Sequence, residues 1–121
     1  MMGYSAINIG NLVRARALIL ESLQGNRALD HIPGQLACLV AIATYELIKE
    51  NLEKATTYAA FVENRINTEA ISLIEPDKVA LDKLLTTAKD KLGNKSFKQL
   101  VEKSKSLRLE ELIASELPSA I

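Results

Sequence analysis

Apolar residues recur along this chain at steps of three and four almost throughout, the period of helices with one buried face. Leu12, Ala15, Ile19 and Leu23 mark a helix from Asn11 to Gln24, with Gly25 placed to close it as a left-handed cap. The turn-rich stretch from Gly25 to Gly34, with Asp30, His31 and Pro33, reads as a connection. Leu36 to Lys49 is apolar on nearly all sides, which predicts a central helix enclosed by others. After Glu50 and Asn51, Leu52, Ala55, Ala59, Val62 and Ile66 form one clean helical face.

The pattern fades from Asn67 to Glu75 and resumes at Pro76, a residue suited to a helix's first turn. Asp77 adds a negative charge there, where the helix dipole favours one. Leu81, Leu84, Leu85, Ala88 and Leu92 continue that helix to Gly93. Phe97, Leu100 and Val101 predict a short helix over 95–104, with Phe97 in the core, and Leu109, Leu112, Ile113 and Leu117 predict a last one stopped by Pro118. No segment alternates long enough to be a strand. The expected class is all-α, with six or seven helices in a single domain over 1–121. Short connections make sequential neighbours antiparallel.

Composition narrows the function classes. Apolar residues are 48% and charged residues 25%, ordinary for a globular chain of 121 residues. Fifteen basic residues balance fifteen acidic ones, so no global charge draws the chain to nucleic acid or anionic membrane. A single cysteine cannot close an internal disulfide. The longest apolar stretch, Leu36 to Ile48, is shorter than the about 20 residues of a membrane span and is interrupted by Thr44, Tyr45 and Glu46. The first residues lack the pattern of a signal peptide. The expected location is the cytoplasm.

One pentad returns. Asn11-Leu12-Val13-Arg14-Ala15 is echoed by Asn51-Leu52-Glu53-Lys54-Ala55, each opening a helix after a helix end. Such spacing points to stacked helical hairpins. Asn-Leu-x-Lys-Ala, followed by Tyr58 and Ala59 and preceded by Leu39-x-x-Ile42-Ala43, resembles a tetratricopeptide repeat. Two departures stand out. Glu50 occupies a turn where glycine is common, and the connection before Gly34 exceeds what a repeat of about 34 residues needs. The tail, Lys91-Leu92-Gly93, Phe97 and Ser106-Leu107-Arg108-Leu109-Glu110-Glu111-Leu112-Ile113, resembles the closing segment of LuxR-type and related bacterial signal-transduction ATPases. Arg108 replaces the small capping residue usual there, which weakens that helix start.

The resemblance implies a tetratricopeptide-like solenoid of antiparallel hairpins. Residues 1–66 would make two repeats, the first truncated, and 77–117 a helical cap. It implies the sensor and protein-contact end of a bacterial transcriptional regulator, a detached end of a longer array. No phosphate-binding loop is present: Gly93-Asn94-Lys95-Ser96 has the wrong order.

Candidate chemistry is sparse. Cys38 reads as a small buried hydrophobe and His31 as a solvated loop residue, not a nucleophilic pair. Nothing beyond Asp30 gathers near His31 to hold a metal, and no cofactor is expected. Glu50/Glu53 and Glu110/Glu111 read as helix-start charges. Between Lys89 and Arg108, Lys91, Lys95, Lys98, Lys103 and Lys105 add to a basic stretch that reads as a solvated face, with nucleic-acid contact a minor alternative.

The expectation is a non-enzymatic protein-interaction module. With the phase of the resemblance, Leu39, Ile42 and Ala43 pack inward while Val40, Thr44, Leu47 and Ile48 line a groove for an unidentified protein partner. The alternative is that these four are core, buried by C-terminal helices folding across. A second reading is self-association, as a homodimer, through an apolar edge at Tyr4, Ile7, Ile9 and Leu12.

Overall fold

A computed structural model describes residues 12–117, apart from the side chain of Leu12. Among them are six helices and no strand: α1 (Leu12–Ala28), α2 (Ile32–Ile48), α3 (Leu52–Thr68), α4 (Glu75–Leu92), α5 (Asn94–Ser104) and α6 (Leu109–Glu116). The class is all-α. None of these helices is long and apolar enough to cross a membrane.

The first three helices are each 17 residues long. Each ends in the same way. Asp30, Glu50 and Ala70, one every twenty residues, take left-handed φ values of 54°, 64° and 52°. The next amide then reaches back five residues along the chain: His31 to the Asn26 carbonyl at 2.9 Å, Asn51 to Glu46 at 2.8 Å, and Ile71 to Ile66 at 3.1 Å. This Schellman-type closure satisfies carbonyls that a helix end leaves orphaned. A left-handed non-glycine residue costs about 1–2 kcal/mol, so each turn is held by its hydrogen bonds against its own backbone preference.

Two expectations change here. Gly25 does not cap α1. The helix runs on to Ala28, and only Leu29 to His31 separate it from α2. His31 is exposed, as expected, but it serves as the N-cap of α2: its Nδ1 accepts the Gly34 amide at 3.1 Å. Pro33 sits in the first turn of α2, where its missing N–H is harmless. Gly34 is there for space, since a Cβ would stand 2.1 Å from Asn26 Oδ1 across the turn.

α2 lies between α1, α3 and α4. It supplies Leu36, Leu39, Val40, Ile42 and Ala43 to the core, all essentially unexposed. α3 packs on α2, α4 and α5, and α4 and α5 form a second hairpin about Gly93, whose φ of 82° suits only glycine well. Phe97 is half-buried on α5, not a core residue. The chain then returns. Glu116 at the end of α6 meets Arg16 near the start of α1 and Lys54 near the start of α3. Leu109 and Glu110 lie with Asp30 and Arg65, at the far ends of those helices. So α6 runs antiparallel to α1 and α3 and places Leu109, Leu112, Ile113 and Leu117 in the common hydrophobic cluster.

Candidate functional site

The last turns of α2 bear two different surfaces. On one side, Thr44, Leu47 and Ile48 face α4 across a groove whose other wall is Pro76, Val79, Ala80, Lys83, Leu84 and Thr87. The α4 residues follow helical spacing, so the wall is one continuous stripe. Its apolar groups are not all buried. Val79 is 57% exposed and Ile48 38% exposed, while Leu47 and Ala80 are half-buried. The groove encloses about 390 Å³, within the range of small-ligand pockets of roughly 300–1,000 Å³. Its polar side chains are Thr44, Thr87 and Lys83, and the Thr44 hydroxyl is engaged, donating to the Val40 carbonyl at 3.0 Å.

Val40 does not line this groove. It is wholly buried, because the middle of α2, residues 38–43, is enclosed on all sides. The other three candidates, Thr44, Leu47 and Ile48, line the groove together. The α4 wall was not foreseen. Its sequence signal lay in Val79, Ala80 and Lys83, flanking the core stripe that includes Leu81 and Leu84. The edge formed by Tyr4, Ile7, Ile9 and Leu12 falls outside the described side chains.

On the opposite side of the same turns lies a charged junction drawn from four helices. Glu46 of α2 is buried; its Oε1 accepts from Asn51 Nδ2 at 3.1 Å, and its Oε2 is 3.5 Å from Lys54 Nζ and 4.0 Å from Arg16 Nη1. Glu116 of α6 is also buried; it meets Lys54 Nζ at 2.8 Å and Arg16 Nη2 at 3.5 Å and accepts the Tyr58 hydroxyl. Arg16 also stands over the Tyr45 ring at 5.6 Å, and Lys54 over that of Tyr58 at 5.5 Å.

Burial alone would raise the Glu116 carboxyl. Hydrogen bonds from Lys54 and Tyr58, with the charges of Lys54 and Arg16, outweigh it and hold the group below its ordinary value. Tyr58 moves the other way: burial, then its bond to Glu116, raises its hydroxyl well above the usual phenol range. This junction escaped the sequence reading. The available signal was Glu46 itself, since a carboxylate inside an apolar helix requires a partner.

The remaining candidates stand apart. Cys38 is buried, and burial raises its thiol; Ser22 Oγ lies 3.6 Å away and Asn26 Nδ2 3.9 Å away. Glu53, Glu110 and Glu111 occupy first turns of helices, whereas Glu50 is a turn residue ahead of α3. Lys89, Lys91, Lys95, Lys98, Lys103, Lys105 and Arg108 are all exposed, with Lys103 3.7 Å from Glu53 and Lys105 3.1 Å from Glu102. Among the described residues, no three of His, Cys, Asp and Glu are grouped to hold a metal ion. The repeated pentads agree in burying Ala15 and Ala55 but differ in their cations: Arg14 is exposed, and Arg16 takes the place beside Glu46 that Lys54 takes from α3. No protein-family model, curated protein or solved structure matches the chain.

Proposed function

We propose that this chain is a non-enzymatic protein-interaction module that receives an apolar helical segment of a partner between α2 and α4. The observation that carries the reading is the groove itself: apolar side chains on two neighbouring helices are left in water, at the end of a helix whose middle is fully enclosed. Exposed, contiguous apolar surface of this kind marks interaction sites, and a helix laid in a groove uses apolar anchors one turn apart. The arrangement also supports the tetratricopeptide-like reading. The α2–α3 and α4–α5 hairpins stack, and their first helices wall the groove, which is how such arrays build an inner binding surface. On that reading the chain is the terminal sensor or scaffold part of a cytoplasmic bacterial regulator.

The test uses a display library of amphipathic helical peptides against the intact protein. Selected binders should shift the amide resonances of residues 44–48 and 79–87, and Val79→Asp should weaken them about tenfold or more. Binders that map elsewhere, or none at all, would overturn the proposal.

A second reading, self-association, is favoured by one observation. Val13 is 85% exposed, and Ala17 and Leu20 continue its strip along α1 with at least partial exposure. Light scattering across a range of concentrations tests it: a constant dimer mass supports the reading, and a constant monomer mass refutes it.

A further inference from the structure

α6 is an unusual element of this fold. It has eight residues, well short of the length at which a helix holds together by itself in water. Its N-cap, Arg108, contributes no side-chain hydrogen bond to the open amides of the first turn. At the other end Glu116 puts a carboxylate in the last turn, where the helix dipole disfavours negative charge. Little within α6 therefore stabilises it beyond its acidic first turn, Glu110 and Glu111. Its stability comes from docking.

Two kinds of contact hold it. Leu109, Leu112, Ile113 and Leu117 complete the hydrophobic cluster that contains Ile19 and Leu23 of α1 and Phe61 and Val62 of α3. Glu116 then engages Arg16, Lys54 and Tyr58. The groups around that carboxylate are Arg16 from α1, Glu46 from α2, Lys54 and Tyr58 from α3, and Ser115 beside it, 3.4 Å from the Tyr58 hydroxyl. The anchoring cations are not sealed in: the Arg16 and Lys54 side chains are 34% and 32% exposed. If α6 leaves, water can reach both cations, and Glu46 still faces them. Opening thus strands no isolated buried charge among the helices that remain.

We infer that α6 is a releasable clasp, fastened at its C-terminal end by Glu116 in the four-helix charged junction. Its release bares the apolar cluster beneath while α2 to α5 stay folded. The turn at 105–108 is the hinge; three of its four residues, Lys105, Ser106 and Arg108, are exposed. The device sits on the face of α2 opposite the groove and does not depend on the groove's having a partner. It gives the module a second apolar surface that is closed in the resting state.

Native-state hydrogen exchange on the full chain tests this. In the unaltered protein, the amides of Ile113 to Leu117 should exchange through an opening distinct from, and more frequent than, the one that exposes the middle of α2 and α3. Glu116→Gln should speed α6 exchange about tenfold, with α2 and α3 unchanged, whereas Ala114→Gln on the exposed side of the same helix should have no such effect. Exchange of α6 and α3 through one common opening in the unaltered protein would overturn the inference. So would an unchanged α6 in Glu116→Gln, or loss of the whole fold in that variant, since either outcome means that α6 is not separately fastened.

Discussion

Within one turn, α2 shows two solutions to the end of an enclosed helix. On the side of Glu46, charged and polar groups from four helices converge and the carboxylate is buried. On the side of Thr44, Leu47 and Ile48, apolar groups face α4 but the space between is left open. The difference lies in what polar and apolar groups demand. A buried carboxylate without partners is so unfavourable that the fold must supply them. Exposed apolar carbons carry a much smaller penalty, about 25 cal/mol per Å², so a protein can leave them uncovered for another molecule. The junction answers buried charge with opposite charge, whereas the groove leaves apolar surface in contact with water.

That contrast can be broken most forcefully one turn earlier. Val40→Asp places an unpaired carboxylate where all sides are closed, and the expected loss is more than about 4 kcal/mol, enough to leave the chain unfolded by circular dichroism. A smaller effect comes from acid. The Glu116 carboxyl lies below its ordinary value in the folded protein, so the unfolded chain takes up its proton first and stability falls as pH drops through the carboxylate range, below about pH 4.3. Urea melts should show this junction losing about 1–2 kcal/mol, at the lower end because Arg16 and Lys54 are partly solvated. Glu116→Gln should flatten that part of the pH slope; an unaltered slope would mean that the junction contributes nothing of the kind.

The helices were legible where the apolar period was regular. Leu52 to Ile66 and Leu81 to Leu92 announced α3 and α4, and Pro76 and Gly93 marked a start and a stop. The α1–α2 turn was misread because Gly25 and Pro33 suggested a long loop. The helix instead carries Gly25 on an exposed side, and the turn uses Asp30 as its left-handed residue. The phase of the tetratricopeptide resemblance put Thr44, Leu47 and Ile48 on one side of α2, and these three do line one space. Val40 could not be excluded, because a helix apolar all round gives no sign of which stretch is enclosed and which reaches an edge. The charged junction was invisible for a different reason: its members lie at 16, 46, 54, 58 and 116, and only the return of α6 brings the last of them to the others.

The most direct test of the account is the folding stability of Thr44→Arg, measured by urea denaturation beside the unaltered chain. Thr44 lies one turn beyond Val40, is half-buried and lines the groove, and its hydroxyl bonds only to its own helix. With the groove open, the variant stays cooperative and helical, within about 1 kcal/mol of the parent, because an arginine there can extend into water. A Thr44→Arg chain as unfolded as Val40→Asp would contradict this, showing that this turn of α2 is core and that no groove is open.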